Sequence, residues 1–136
     1  IPKTGIDGWQ VSNPPIFSTA PLRASLDIFM NASIRELRKK SLDLHKFLRE
    51  SLNVFCQNKF KIITPTEDRW HGCQLSLQMT TQELDTVRSK LEERSIIIDT
   101  RDPDIIRIAP TPLYNSFEDC ATVAIALAKI IDENER

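Results

Sequence analysis

The run Cys73-Gln74-Leu75-Ser76-Leu77-Gln78-Met79 alternates apolar and polar residues without a break. Successive side chains of a strand point to opposite faces. The run therefore predicts a strand with Cys73, Leu75, Leu77 and Met79 turned to a core and Gln74, Ser76 and Gln78 turned out. A strand with one apolar face needs paired neighbours and an apolar layer to lie on, and the rest of the chain supplies both. Phe60 to Thr64, stopped by Pro65, reads as a companion strand, and Ile96-Ile97-Ile98 as a third. Asp99 to Asp104, with Pro103, reads as a charged turn leading into a fourth, Ile105 to Ala109. Here Ile106 and Ile108 share one face, while Ile105, Arg107 and Ala109 share the other. Pro110 and Pro112 end that strand, and Asn115-Ser116 offers a cap to the helix that follows.

Helical periodicity fills the gaps. A first helix is expected from about Ser18 to Asn31, with Pro21 in its opening turn and Leu22, Leu26, Phe29 and Met30 as its stripe. A longer one follows from about Ser33 to Phe55, with Ile34, Leu37, Ser41, Leu44, Leu48, Leu52 and Phe55 along one side. Thr80 or Thr81 is expected to cap a third helix carrying Leu84, Val87 and Leu91. Phe117, Cys120, Val123, Ala124, Leu127, Ile130 and Ile131 define the last, before a polar tail from Asp132. The order helix, helix, strand, strand, helix, strand, strand, helix predicts an α+β fold. Its sheet is small and antiparallel-rich, with the helices packed on one face.

Charge and cysteine usage narrow the function. Lys and Arg number 18 against 19 Asp and Glu in 136 residues, a balance that argues against non-specific nucleic-acid binding. No apolar run approaches the roughly 20 residues a membrane helix needs. Three cysteines, Cys56, Cys73 and Cys120, without a CxxC spacing, are expected to be reduced thiols of a cytosol-like compartment rather than a disulfide frame or metal site. The chain begins at Ile1, and is expected to be a piece of something longer.

The usual catalytic constellations are missing. No glycine-rich phosphate loop occurs, and no lysine lies in a setting that would depress its pKa. His71-Gly72-Cys73 puts an imidazole near a thiol, yet Cys73 belongs to the core-facing set of its strand, which argues against a Cys–His pair. His45, among polar neighbours, reads as a surface residue. Residues 1–17 carry Trp9-Gln10-Val11-Ser12-Asn13, a possible short strand running into the fixed turn Pro14-Pro15; the plainer reading is a proline-stiffened linker. For Arg107 the plainer reading is an edge-strand charge that discourages aggregation.

Three stretches change that balance. Trp9-Gln10-Val11-Ser12-Asn13-Pro14-Pro15-Ile16, Gly72-Cys73-Gln74-Leu75 and Ile106 to Phe117 together resemble the C-terminal part of eukaryotic kynureninases, over essentially the whole chain and in the right order. The resemblance implies the small domain of a pyridoxal-phosphate enzyme of the aspartate-aminotransferase fold class (fold type I). Such enzymes work as cytoplasmic homodimers in tryptophan catabolism and NAD biosynthesis. They hydrolyse L-kynurenine or 3-hydroxykynurenine to anthranilate or 3-hydroxyanthranilate and L-alanine. By position, the resemblance implies that Arg107 grips the substrate's α-carboxylate. It further implies that Asn13 reaches across the dimer interface to the cofactor and substrate, and that Ser12 serves the aromatic end. A planar fork of donors suits a carboxylate, and a stiffened turn suits a site residue. Residues 1–17 would then be an interdomain segment lining the site, and 18–136 the small domain. The lysine that bonds the cofactor, the phosphate-binding residues and the aspartate facing the pyridine nitrogen belong to the family's larger domain. The chain alone is therefore expected to be inactive, with no catalytic residue of its own. Alternatives are the small domain of a cysteine desulfurase or aminotransferase, and a free-standing amino-acid-binding module.

Overall fold

The computed structural model describes residues 3–56, 59–80 and 84–134. Its elements are α1 (Ile16–Phe29), α2 (Ile34–Cys56), β1 (Phe60–Ile62), β2 (Leu75–Met79), α3 (Leu84–Glu92), β3 (Asp99–Arg101), β4 (Ile105–Ile108) and α4 (Phe117–Asn134). The chain divides into two compact units, Ile1–Ile34 and Arg35–Arg136. The division falls at Ile34/Arg35, so α1 groups with the N-terminal segment.

In the first unit, a short 3-10 turn spans Ile6–Trp9, and Trp9 to Asn13 is not the strand its sequence suggested. Gly8 is required there: a Cβ would stand 2.4 Å from the Lys3 carbonyl oxygen. Helix α1 begins at Ile16, two residues early, because the Pro15 carbonyl accepts from the backbone N–H of Ser18 and Thr19 and from the Thr19 hydroxyl. Pro21 consequently lies inside the helix rather than in its opening turn, where it has no N–H to donate to Phe17. None of the α1 residues is buried.

In the second unit the four strands form one sheet in the order β1-β2-β4-β3, each pair antiparallel. Leu75 stands opposite Ile108, and Leu77 opposite Ile106, so the alternating apolar residues of β2 and β4 fall on one face. Leu44, Leu48 and Leu52 of α2, Val87 and Leu91 of α3, and Leu127 and Ile130 of α4 are fully buried with them in a single core. Each such side chain contributes roughly 1.5–3 kcal/mol on leaving water. The expected two-layer α+β arrangement is what forms.

Further expectations need correction. The third strand is Asp99–Arg101, not Ile96-Ile97-Ile98. The chain leaves α3 through Ser95 at φ 58, and Ile96 and Ile98 pack against the core from an irregular segment. β4 lies inside the sheet, so Arg107 is not an edge charge. Ile34 and Phe55, at the ends of the predicted α2 stripe, are exposed, while Ser51 and Cys56 are buried. Cys73 precedes β2 and is only partly buried. Of the residues expected to cap α3, Thr81 lies outside the described residues.

His45 is the clearest departure, at 3% exposed. The loop between β1 and β2 folds over one stripe of α2. Arg38 donates to the Asp68 carbonyl, and Arg49 Nη2 donates to the Thr64 carbonyl at 2.8 Å and to that of Pro65 at 3.1 Å. Between them the His45 ring stacks on His71, centroids 3.9 Å apart and 17° from parallel. The His71 side chain is itself 4% exposed. Its Nδ1 lies 2.9 Å from the Gly72 carbonyl, to which it donates as N–H. Burial first, then His71 and the Arg49 guanidinium, push the His45 imidazole from 6.5 down to about 4, with Asp68 opposing.

A depressed histidine favours the neutral ring in the folded chain, so stability is full above the ordinary value and is lost as pH falls toward the folded one. Between pH 6.5 and about 4, this group should cost the fold up to roughly 3 kcal/mol. Urea unfolding at stepped pH should show that loss in the native chain and a flatter curve in His45→Gln. Parallel curves would contradict it.

Candidate functional site

The register that buries Ile106 and Ile108 sends Arg107 to the opposite face. There it stands between Ser76 of β2 and Asp99 of β3, its partners across the two ladders. Arg107 Nη2 lies 2.8 Å from Asp99 Oδ2, and Arg101 Nη1 donates to Asp99 Oδ1 at 2.5 Å. One carboxylate thus bridges two guanidiniums, leaving the trio one positive charge in surplus. The Arg107 side chain is 31% exposed and that of Asp99 45%, so the pair is held yet still wet. A pair this open contributes at most about 1 kcal/mol, and an incoming carboxylate meets little resistance. Arg107 Nε is buried without a hydrogen-bond partner. Sequence reading missed Asp99 because it lay in a presumed turn. The signal was present in the opposite charges of Asp99-Thr100-Arg101 flanking the arginine strand.

Beyond β4 the chain is fixed by its own polar side chains. Asn115 Oδ1 accepts from the Thr111 N–H at 2.8 Å, and the Asn115 N–H donates back to the Thr111 carbonyl at 2.9 Å. Lys40 Nζ donates to the Pro112 carbonyl at 2.8 Å, tying the turn to α2. Ser116 is the cap foreseen for α4. Its Oγ accepts from the Asp119 N–H at 3.1 Å, while Asp119 Oδ2 accepts from the Ser116 N–H at 2.8 Å. That reciprocal pair satisfies two N–H groups at the helix start. The hydrogen bonds from the Ser116 backbone, its hydroxyl and Asn115 hold the Asp119 carboxyl below its ordinary value. Tyr114 is exposed.

The other two site candidates belong to the first unit. Ser12 and Asn13 are adjacent and exposed. With Asp7, Gly8 and Gln10 they line an open concavity of about 580 Å³. The structure therefore places Ser12 and Asn13 together in one unit and Arg107 in the other. His71 is engaged in the stack on His45. Among the described residues no helix is long and apolar enough to cross a membrane.

Several solved structures share this architecture. An apo cysteine desulfurase from Thermococcus onnurineus superposes with a TM-score of 0.79 at 15% identity, over 96% of this chain and 35% of that one. A C-DES variant with glycine covalently linked to its PLP cofactor gives 0.71 at 21% identity, over 89% and 31%. The fold is that of the C-terminal domain of fold-type I PLP enzymes. Sequence then separates the families. Residues 37–127 match the Kynureninase C-terminal domain family. Kynureninase 2 of Neurospora crassa is 43% identical over 96% of this chain, and a kynureninase of Xanthomonas oryzae pv. oryzae is 41% identical over 90%. The chain belongs to the kynureninase C-terminal domain family. It spans 29% of the length of each of those two relatives.

If the Ser116–Asp119 box sets the entry to α4, Ser116→Ala should destabilise the chain by about 1 kcal/mol. Ser116→Asp, which keeps an acceptor at the cap, should recover most of that loss. Thermal unfolding measures both, and an undiminished melting temperature in Ser116→Ala would contradict the assignment.

Proposed function

We propose that this chain is the small domain of a pyridoxal-phosphate-dependent kynureninase. The whole protein would hydrolyse L-kynurenine or 3-hydroxykynurenine to L-alanine and anthranilate or 3-hydroxyanthranilate, in tryptophan catabolism and NAD biosynthesis. It would do so in the cytoplasm as a homodimer, each small domain working against its own large domain. The observation that carries the reading is Arg107: a partly open guanidinium on the face of the sheet away from the core, in a chain of this family.

Arg107 binds the α-carboxylate, whose two oxygens match a planar pair of N–H donors, and so fixes orientation as well as charge. Asn13 is the polar contact to cofactor and substrate across the subunit interface, and Ser12 borders the aromatic end. Residues 1–17 act as the interdomain segment that carries them, and 18–136 as the small domain proper. Pyridoxal phosphate, when bound, supplies the electron sink for the reaction. No described lysine is buried: the buried polar residues are Ser41, His45 and Ser51. The described residues therefore do not fit a covalent cofactor anchor, and the large domain is its holder in this reading. The chain by itself is inactive on this account. The alternative of a cysteine desulfurase rests on structural likeness at 15–21% identity, against kynureninase relatives at 41–43%.

In the full-length protein, Arg107→Lys should raise KM for 3-hydroxykynurenine by roughly 10–100-fold, since charge is kept but the paired donors are lost. An unchanged KM would reject the clamp. Release of no alanine by the unmodified protein would reject the reading altogether. Asn13→Ala should weaken cofactor retention more modestly, seen as a raised pyridoxal-phosphate concentration for half-maximal activity. A variant identical to the parent would leave the Ser12-Asn13 turn a structural feature.

A further inference from the structure

Arg107 has one charged partner among the described residues, and that partner is held in turn. Asp99 faces it directly across the β3–β4 ladder, with Oδ2 2.8 Å from Nη2. The second oxygen of Asp99 takes the Arg101 Nη1 donor at 2.5 Å. Arg101 Nη1 also donates to the Thr100 carbonyl at 2.7 Å, so the strand itself restrains the outer guanidinium. The chain of restraint runs from the β3 backbone through Arg101 and Asp99 to Arg107. A free arginine side chain samples many rotamers, so a fixed partner narrows where its donors face. With Nε unpartnered, nothing else charged among the described residues fixes which way the fork faces.

We infer that Asp99 is a positioning residue for the carboxylate clamp: it anchors the Arg107 guanidinium from the β3 side, so that the remaining donors are presented to the substrate's carboxylate. This rests on the reading of Arg107 as that clamp. The trio supports it in a second way. Two guanidiniums and one carboxylate leave one uncompensated positive charge, which a single substrate carboxylate neutralises.

The test compares Asp99→Ala, Asp99→Asn and Arg107→Ala in the full-length holoenzyme. Asp99→Ala should raise KM for 3-hydroxykynurenine by about 3–5-fold while kcat stays within about twofold, the pattern of lost substrate positioning before chemistry. Inhibition by 2-aminoacetophenone, which keeps the aryl ketone and carries no carboxylate, should be unchanged, a selectivity that a general loosening of the fold would not produce. Asp99→Asn keeps the side-chain shape without the charge. It should raise KM in the same direction by about 3-fold or more, and it carries the test if the alanine variant does not fold. An unchanged or lowered KM in the folded Asp99 variants, while Arg107→Ala raises it, would overturn the positioning role alone. No response in Arg107→Ala would overturn the clamp beneath it. Equal weakening of 2-aminoacetophenone and substrate would assign Asp99 to the fold and overturn the proposal.

Discussion

The pairing of β2, β4 and β3 in one antiparallel register sets both the core and the site. Leu77 opposite Ile106 and Leu75 opposite Ile108 bring the apolar side chains together over α2, α3 and α4. The same pairing lines up Ser76, Arg107 and Asp99 on the reverse face. Side chains alternate along a strand, so a slip of one residue would turn Arg107 into the core and expose Ile106. Burying an unpaired guanidinium is far costlier than any polar contact it could recover. The hydrophobic layer thus holds the charged face in place without touching it.

The supports around that register act at its ends. Ser116 and Asp119 close the start of α4, and Asn115 closes the turn before it. On the far side of the sheet's entrance, Arg38, Arg49 and the stacked histidines clip the β1–β2 loop to α2. Thr64 of that loop accepts, through its Oγ1, from the Ser76 N–H at 2.7 Å, which couples the clip to the strand beside Arg107.

How much of this could be read beforehand depended on whether the signal was local. The alternation through Leu75, Leu77 and Met79 and the pair Ile106 and Ile108 fixed two strands and their buried faces, because period-two burial is written into the residues themselves. The α4 cap was legible for the same reason. Asp99–Arg101 was missed because three polar residues carry no strand periodicity, and only pairing with β4 makes them extended. Ile96 to Ile98 misled in the opposite sense: β-branched residues packed on the core from an irregular segment after Ser95 look like a strand. His45 was misjudged as a surface residue because its burial comes from a loop some 20 residues away in the chain. Of the site, Arg107 stood out as a lone charge on an apolar strand, but its role as a clamp, like the roles of Ser12 and Asn13, came from family resemblance and is a proposal. Asp99 was invisible until the ladder was known.

The central claim is that the guanidinium of Arg107 receives the acid group of an amino-acid substrate. A crystal structure of the full-length holoenzyme with a non-hydrolysable kynurenine analogue tests it most directly. The account predicts both α-carboxylate oxygens within about 2.7–2.9 Å of Arg107 nitrogens, with Asp99 still at the guanidinium's other edge. An analogue whose carboxylate is held by other residues, with Arg107 engaged by Asp99 alone, would contradict it.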